Sequence, residues 1–269
     1  MRFFSSLAPF AKRLEGKVAL ITGGASGIGE STARLFARHG ADVFIADIQD
    51  DLGHSVCHEI GSNYIHCDVT NESDVKNAIK TAISKHGKLD IMFSNSGISP
   101  KNPSHSILDV EYDTYKKVFD VNVYGSFLAA KHAANAMIPA RKGSIIFTSS
   151  VTSVTYGNVP PIYAVSKHAI VGLTKNLCVD LGQYGIRVNC ISPYGVATPM
   201  LREAMGGFDK KTVEDIMSGA ANLKDAVLEA HDVAEAALYL GGDESKYVSG
   251  LNLVVDGGYS TTNVAFKEK

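Results

Sequence analysis

From Lys17 onward the chain alternates short apolar runs with longer amphipathic stretches. The runs 18–21, 42–46, 64–67, 91–94, 144–148, 187–191 and 252–255 read as strands. Several are rich in Val and Ile and flanked by Gly, Asn or Asp, as buried parallel strands are. The stretches 28–39, 50–60, 72–86, 112–138, 163–183 and 230–240 read as helices. Repeated strand–helix–strand alternation predicts an α/β fold, a parallel sheet covered by helices on both faces. No linker, composition break or internal repeat divides the chain. One domain is therefore expected over 14–259, between an N-terminal extension (1–13) and a C-terminal tail (260–269).

Composition narrows the function classes. The 269 residues carry 45% apolar and 20% charged side chains with a net charge of −2, which gives no reason to expect a nucleic-acid partner. No apolar run approaches the roughly 20 residues that span a bilayer, so no membrane partner is expected. Cys57, Cys67, Cys178 and Cys190 are scattered and form no C-x-x-C pair, as in a reduced cytoplasmic protein. The segment 1–13 is basic and free of acids. It reads either as a loose extension or as a short organelle address.

Candidate chemistry falls at the carboxyl ends of the predicted strands, where open α/β sheets bind ligands. The first strand runs into Thr22-Gly23-Gly24-Ala25-Ser26-Gly27-Ile28-Gly29 and then a helix. Glycines there permit positive φ and close backbone approach, and the helix N-terminus offers N–H groups to a pyrophosphate. Asp47 ends the second strand, 18 positions after Gly29, where a carboxylate accepts from a ribose diol and repels a 2′-phosphate. Ile48 and Gln49 follow rather than a cation, which favours NAD over NADP. Asp47 also suits an N-cap for the next helix. Asp68, after the third strand, either meets an adenine amino group or caps the helix behind it.

Tyr163 and Lys167 are four residues apart on a predicted helix and so share one face. An ammonium beside a phenol favours phenolate, and a lowered phenol serves as a base for alcohol oxidation. Ser150 lies thirteen residues before Tyr163, with Ser149 as its neighbour.

Taken in order, T-G-x-x-x-G-x-G at 22–29, Asp68-Val69, Asn95-Ser96-Gly97, Asn122, Ser150 and the Tyr163/Lys167 pair resemble the short-chain dehydrogenase/reductase family. The resemblance covers about 14–259. It implies a single-domain Rossmann fold, a doubly wound seven-stranded parallel sheet, with NAD as cofactor. By the same resemblance Tyr163 is the general base and Lys167 lowers its pKa and holds the nicotinamide ribose. Ser150 bonds the substrate oxygen, and Asn122 supports a proton-relaying water. Cofactor contacts are implied at Gly23, Ser26, Gly27, Ile28, Gly29, Asp47, Ile48, Cys67, Asp68 and Val69. They continue at Asn95, Ser96, Gly97, Tyr163, Lys167, Pro193, Val196 and Thr198. A homotetramer packed through the helices of Asn122 and Tyr163 and the C-terminal strand is implied as well. Two positions depart from the usual pattern: Ser96 stands where Ala is commoner, and Tyr194 where Gly is.

Several segments, such as Ile45-Ala46-Asp47 and Ser192-Pro193-Tyr194-Gly195-Val196-Ala197-Thr198-Pro199, resemble the plant specialised-metabolism branch of that family. Borneol, isopiperitenol, xanthoxin and secoisolariciresinol dehydrogenases belong to that branch. The substrate loop is expected at about 197–223, a mobile lid with an apolar wall of Met200, Leu201, Met205, Phe208 and Met217. With Ser150, Tyr156, Tyr163 and Tyr194 it would enclose a small hydrophobic cyclic secondary alcohol or its ketone, a monoterpenol such as borneol. A lignan, xanthoxin-like or steroid alcohol is the alternative within the family. A non-redox cyclase or isomerase that retains NAD, and a scaffold without turnover, are the alternatives outside it. His54 and His58 sit four apart on a predicted helix, but they read as a solvated face, and no metal is expected.

Overall fold

The computed structural model describes residues 12–100, 106–157 and 159–261. Seven parallel strands form one sheet in the order β3-β2-β1-β4-β5-β6-β7. They are β1 Val18–Thr22, β2 Asp42–Asp47, β3 Asn63–His66, β4 Ile91–Ser94, β5 Gly143–Thr148, β6 Ile186–Pro193 and β7 Asn252–Val255. Strand order reverses between β1 and β4, paired in register from Ala19↔Ile91 to Thr22↔Ser94. A crevice opens at such a reversal, beyond the carboxyl ends of the strands.

The central strands are apolar on both faces because both faces are covered. Leu20, Phe44, Met92, Phe147 and Val188 pack one way, with α3 (Glu72–His86), α5 (Gly125–Met137) and α6 (Pro161–Gly182). Ile21, Ile45, Phe93, Ile146 and Ile191 point the other way. They meet α1 (Gly27–Arg38), α2 (Asp50–Ile60) and α9 (Ala230–Gly241).

Three expectations change. The third strand begins and ends one residue earlier than predicted, leaving Cys67 just past its end. The stretch 112–138 is not one helix: α4 (Tyr112–Phe119) and α5 are joined by a π-helical turn, Asp120–Tyr124. The extra residue in that turn lets the Asn122 side chain face inward, and such turns favour functional sites. The predicted loop 197–223 contains two helices, α7 (Pro199–Ala204) and α8 (Lys210–Ala220). Thr198 caps the first and Asp209 the second, each accepting a backbone N–H three residues on. Thr198-Pro199 and Asp209 are readable start signals that the glycines nearby obscured.

Contacts reach just past both ends of 14–259. Arg13 pairs with Glu244 at 2.6 Å, and the Asp256 carboxylate accepts the Ser260 N–H at 2.7 Å. Most of the expected extension (1–11) and tail (262–269) lie outside the described residues. Among the described residues, no helix is long and apolar enough to cross a membrane.

Two glycines should respond oppositely to alanine. A Cβ at Gly29 would fall 2.0 Å from the Gly23 carbonyl oxygen, which is backbone and cannot swing away. Gly29→Ala should therefore cost about 1–3 kcal/mol or more. Gly219, in α8, has nothing within 4 Å of its virtual Cβ. Gly219→Ala should stabilise by about 0.5–1 kcal/mol, and urea midpoints at constant m-value check both.

Candidate active site

A cleft of about 1010 Å³ lies at the carboxyl ends of the strands. Of the positions assigned to the cofactor, all except Gly29 line it. Gly29 is buried behind the turn, where its missing side chain lets α1 approach Gly23 and Asn95. Gly23 and Gly27 have φ of 64° and 57°, the left-handed region that glycine tolerates. A Cβ on them would approach the Ser96 Cα to 3.0 Å and the Thr198 Cγ2 to 3.1 Å. Ser26, the N-cap of α1, makes no side-chain capping bond, so no cap oxygen covers the first-turn amides. This bare helix N-terminus behind a close-packed glycine turn fits the diphosphate of a dinucleotide.

Asp47 is buried at the end of β2. Its Oδ2 accepts the Ala25 N–H at 3.0 Å and its Oδ1 the Gln49 N–H at 3.0 Å. The carboxylate thus ties the glycine turn to the start of α2, while Gln49 rather than Asp47 is the helix N-cap. Asp68 is not a helix cap either. Its Oδ1 accepts from the Thr70 N–H and hydroxyl, and Asn71 caps α3. Asn95 knits the floor together: Nδ2 donates to the carbonyls of Thr22 and Gly23, and Oδ1 accepts from the Thr148 hydroxyl at 2.9 Å.

Ser150, Tyr163 and Lys167 meet in the same cleft. Ser149 does not compete with Ser150, because its Oγ is turned away to donate to the Lys167 carbonyl at 2.9 Å. Lys167 is buried, donates from Nζ to the Thr148 carbonyl at 2.9 Å, and lies 5.5 Å from the Tyr163 ring centroid. Burial pulls its ammonium down to about 8. The expectation of a lowered phenol does not hold in the polypeptide alone. Burial pushes Tyr163 up to about 12, with the Ser150 hydroxyl acting in the opposite direction. Desolvation of the phenolate is the larger of these two effects.

Asn122 stands behind the cleft wall rather than in it. Its Oδ1 accepts the Ile98 N–H at 2.8 Å, and Nδ2 donates to the Ile98 carbonyl at 3.0 Å and the Ser166 Oγ at 3.1 Å. It therefore clamps the segment after β4 to the helix of Tyr163.

On the substrate side, Tyr194, Met200 and Met205 line the cleft, whereas Phe208 does not. Tyr156 also reaches it but is 88% exposed, its ring 6.1 Å from that of His168, so it marks the mouth and not a cup over the centre. Met217 seats on Gly195, whose virtual Cβ would fall 2.1 Å from the Met217 sulfur. Tyr259, unforeseen in the sequence, packs against Tyr194 in a tilted ring pair with centroids 4.5 Å apart. Thr152, also unforeseen, lines the cleft with a buried hydroxyl that has no partner among the described residues. Arg202 donates to the Phe208 carbonyl, and Lys210 and Lys211 pair with Glu214 and Asp215, so none is poised as a phosphate clamp. His54 packs on the Tyr64 ring, and no group of three His, Cys, Asp or Glu among the described residues is arranged to hold a metal.

A family signature described as enoyl-(acyl carrier protein) reductase matches residues 23–260. Short chain aldehyde dehydrogenase 1 of Euphorbia lathyris is 60% identical, over 96% of this chain and 93% of that one. Secoisolariciresinol dehydrogenase of Forsythia intermedia is 56% identical, over 97% and 95%. The mitochondrial borneol dehydrogenase of Lavandula x intermedia is 57% identical, over 94% and 93%. Among solved structures, a short-chain type dehydrogenase/reductase from Mycobacterium marinum matches with a TM-score of 0.85 at 31% identity, covering 94% of this chain and 98% of that one. Relatives this near along almost their whole length account for the strand order and the glycine turn together: the chain belongs to the short-chain dehydrogenase/reductase family, oxidoreductases that work with a nicotinamide cofactor.

Proposed function

We propose that this chain oxidises a hydrophobic cyclic secondary alcohol to its ketone with NAD, and that a monoterpenol such as borneol is its substrate. The observation that carries the reading is one cleft shared by two sets of residues. Ser150, Tyr163 and Lys167 face it together with an apolar set of Met200, Leu201, Met205, Met217, Tyr194 and Tyr259. The relative named for borneol supports the choice of alcohol. A second reading, a bulkier lignan diol, draws on the relative named for secoisolariciresinol and on Asp113 and Lys117 lining the same cleft.

In this reading Tyr163 takes the hydroxyl proton of the alcohol while Ser150 donates to the same oxygen, holding it against the phenol. Lys167, fixed by the Thr148 carbonyl, keeps its positive charge beside the Tyr163 ring. Asn122 keeps the chain after β4 in place beside them. A nicotinamide cofactor, which the 23–29 turn, Asp47 and Lys167 would hold, would supply the acceptor for the hydride of the carbinol carbon. Asp47 selects NAD, because its fixed negative charge opposes a 2′-phosphate and accepts from ribose hydroxyls. The four cysteines are free thiols, which supports a cytoplasmic setting. A homotetramer is proposed from the exposed apolar side chains of α5, α6 and the approach to β7, notably Phe127, Val179 (79% exposed) and Tyr247 (100%).

The deciding assay follows NADH absorbance with NAD or NADP and a panel of borneol, other cyclic monoterpenols, a lignan diol, a sterol and an aldehyde. Turnover of the lignan alone would replace the first reading by the second; turnover of neither, with NAD bound, would end both. Tyr163→Phe should lower kcat for the alcohol by roughly 10²–10⁴-fold with NAD affinity retained. Oxidation uses the deprotonated phenol, which sits high, so its rate should climb as pH rises. Ketone reduction uses the protonated form and should fall over the same range. Asp47→Ala should weaken NAD roughly 10- to 100-fold and shift preference toward NADP; an unchanged NAD/NADP ratio would refute the ribose assignment. Light scattering of the purified chain should give four times the 28.7 kDa monomer mass.

A further inference from the structure

The reaction outlined above makes no use of a buried polar chain behind Ser150. Ser150 caps a short 3₁₀ turn, Val151–Ser153. Its Oγ accepts the Thr152 N–H at 3.2 Å, so the hydroxyl proton stays available to the cleft. Its carbonyl accepts the Ser153 N–H at 2.9 Å and the Ser153 hydroxyl at 2.7 Å. The turn that aims Ser150 is therefore closed at both ends by hydrogen bonds, and Ser153 makes two of them.

Ser153 is held in turn from two strands. Its Oγ lies 3.1 Å from the Ser192 Oγ on β6 and 3.5 Å from the Asn252 Nδ2 on β7. Ser192 donates to the Asn252 Oδ1 at 2.7 Å. A hydroxyl has one proton, and the two serines spend theirs on the Ser150 carbonyl and on Asn252. The side chain that can then donate to the Ser153 oxygen is the Asn252 amide. Ser153 and Ser192 are buried and Asn252 is half-buried, so the bonds compete little with water. An amide suits this place because it accepts and donates at once.

We propose that Asn252, its Oδ1 held by Ser192, is a positioning residue for Ser150, acting through Ser153 to fix the turn that presents the catalytic hydroxyl. This rests on the dehydrogenase reading for its kinetic consequence but not for its geometry. Ser150 acts on the Tyr163 phenol, so a displaced turn alters the electronic environment of that ring even without substrate.

The test uses the full chain. Asn252→Leu removes donor and acceptor at similar size; Asn252→Asp keeps an oxygen for Ser192. Asn252→Leu should lower kcat roughly 10- to 100-fold with the KM for NAD unchanged, and Asn252→Asp, which lacks the N–H donated to Ser153, should lower it as well. Independently of turnover, spectra of protein carrying ¹³Cζ-tyrosine, assigned through Tyr163→Phe, should show the Tyr163 signal moving in Asn252→Leu as it does in Ser150→Ala. Ser192→Ala should move it the same way and serves if Asn252→Leu does not fold. A Tyr163 signal unmoved in the folded variants overturns the proposal, as does a joint loss of NAD affinity and kcat, which marks a merely structural residue. If the wild-type chain oxidises none of the alcohols, the dehydrogenase reading falls while the tyrosine signal still decides this one.

Discussion

A buried ammonium must be held by oxygen, and Lys167 obtains that oxygen from the Thr148 carbonyl at the end of β5, 2.9 Å away. Much of the site follows from this bond. The Thr148 hydroxyl donates to Asn95, and Asn95 donates to the carbonyls of Thr22 and Gly23 in the first turn. The helix of Tyr163, three neighbouring strands and the glycine turn are thereby fastened into one frame. The strands bring these groups together because their carboxyl ends all point the same way. Every member of the frame except Lys167 is a small polar side chain or a carbonyl, as the crowded floor of the cleft requires.

Electrostatics in that frame pull in opposite directions. Enclosure raises the phenol and lowers the ammonium, so each is shifted toward its neutral form. The i, i+4 spacing places the two groups on one helix face, but spacing does not by itself make a base. What biases the phenol is its enclosure, which raises it, and the Ser150 hydroxyl, which lowers it. The serine is itself held from below by β6 and β7. The chemistry of the site thus depends on a strand that contributes nothing to the cleft wall near Tyr163.

Around that centre, the cleft is closed by parts remote in the chain. Met217 comes from α8, and its sulfur fits only because position 195 is glycine. Tyr259 comes from the turn after β7, where Asp256 accepts from the Gly258 and Ser260 backbone and so fixes the approach to Tyr194. The backbone of Leu223 donates to the Gly257 carbonyl, joining the end of the α8 segment to the same turn. The apolar side of the cleft is therefore a joint product of the α7–α8 insertion and the C-terminal segment.

The sequence by itself determined the parallel sheet, the placement of the glycine turn and Asp47, and the helical pairing of Tyr163 with Lys167. These depend on local periodicity and on conformations that few residues adopt. It also placed Asn122, but not the π-helical turn around it, because the extra residue exists to reach the Ile98 backbone 24 positions away. Counting alone separated Ser149 from Ser150, whereas in the fold the Ser149 hydroxyl is spent on a helix carbonyl and the Ser150 hydroxyl acts on the Tyr163 phenol. Tyr259, Thr152 and the Ser153–Ser192–Asn252 chain carry no local signal, being ordinary residues made special by strands that meet only after folding. The direction of the Tyr163 shift was likewise decided by tertiary structure, since spacing supplies the neighbouring charge but only packing removes the water.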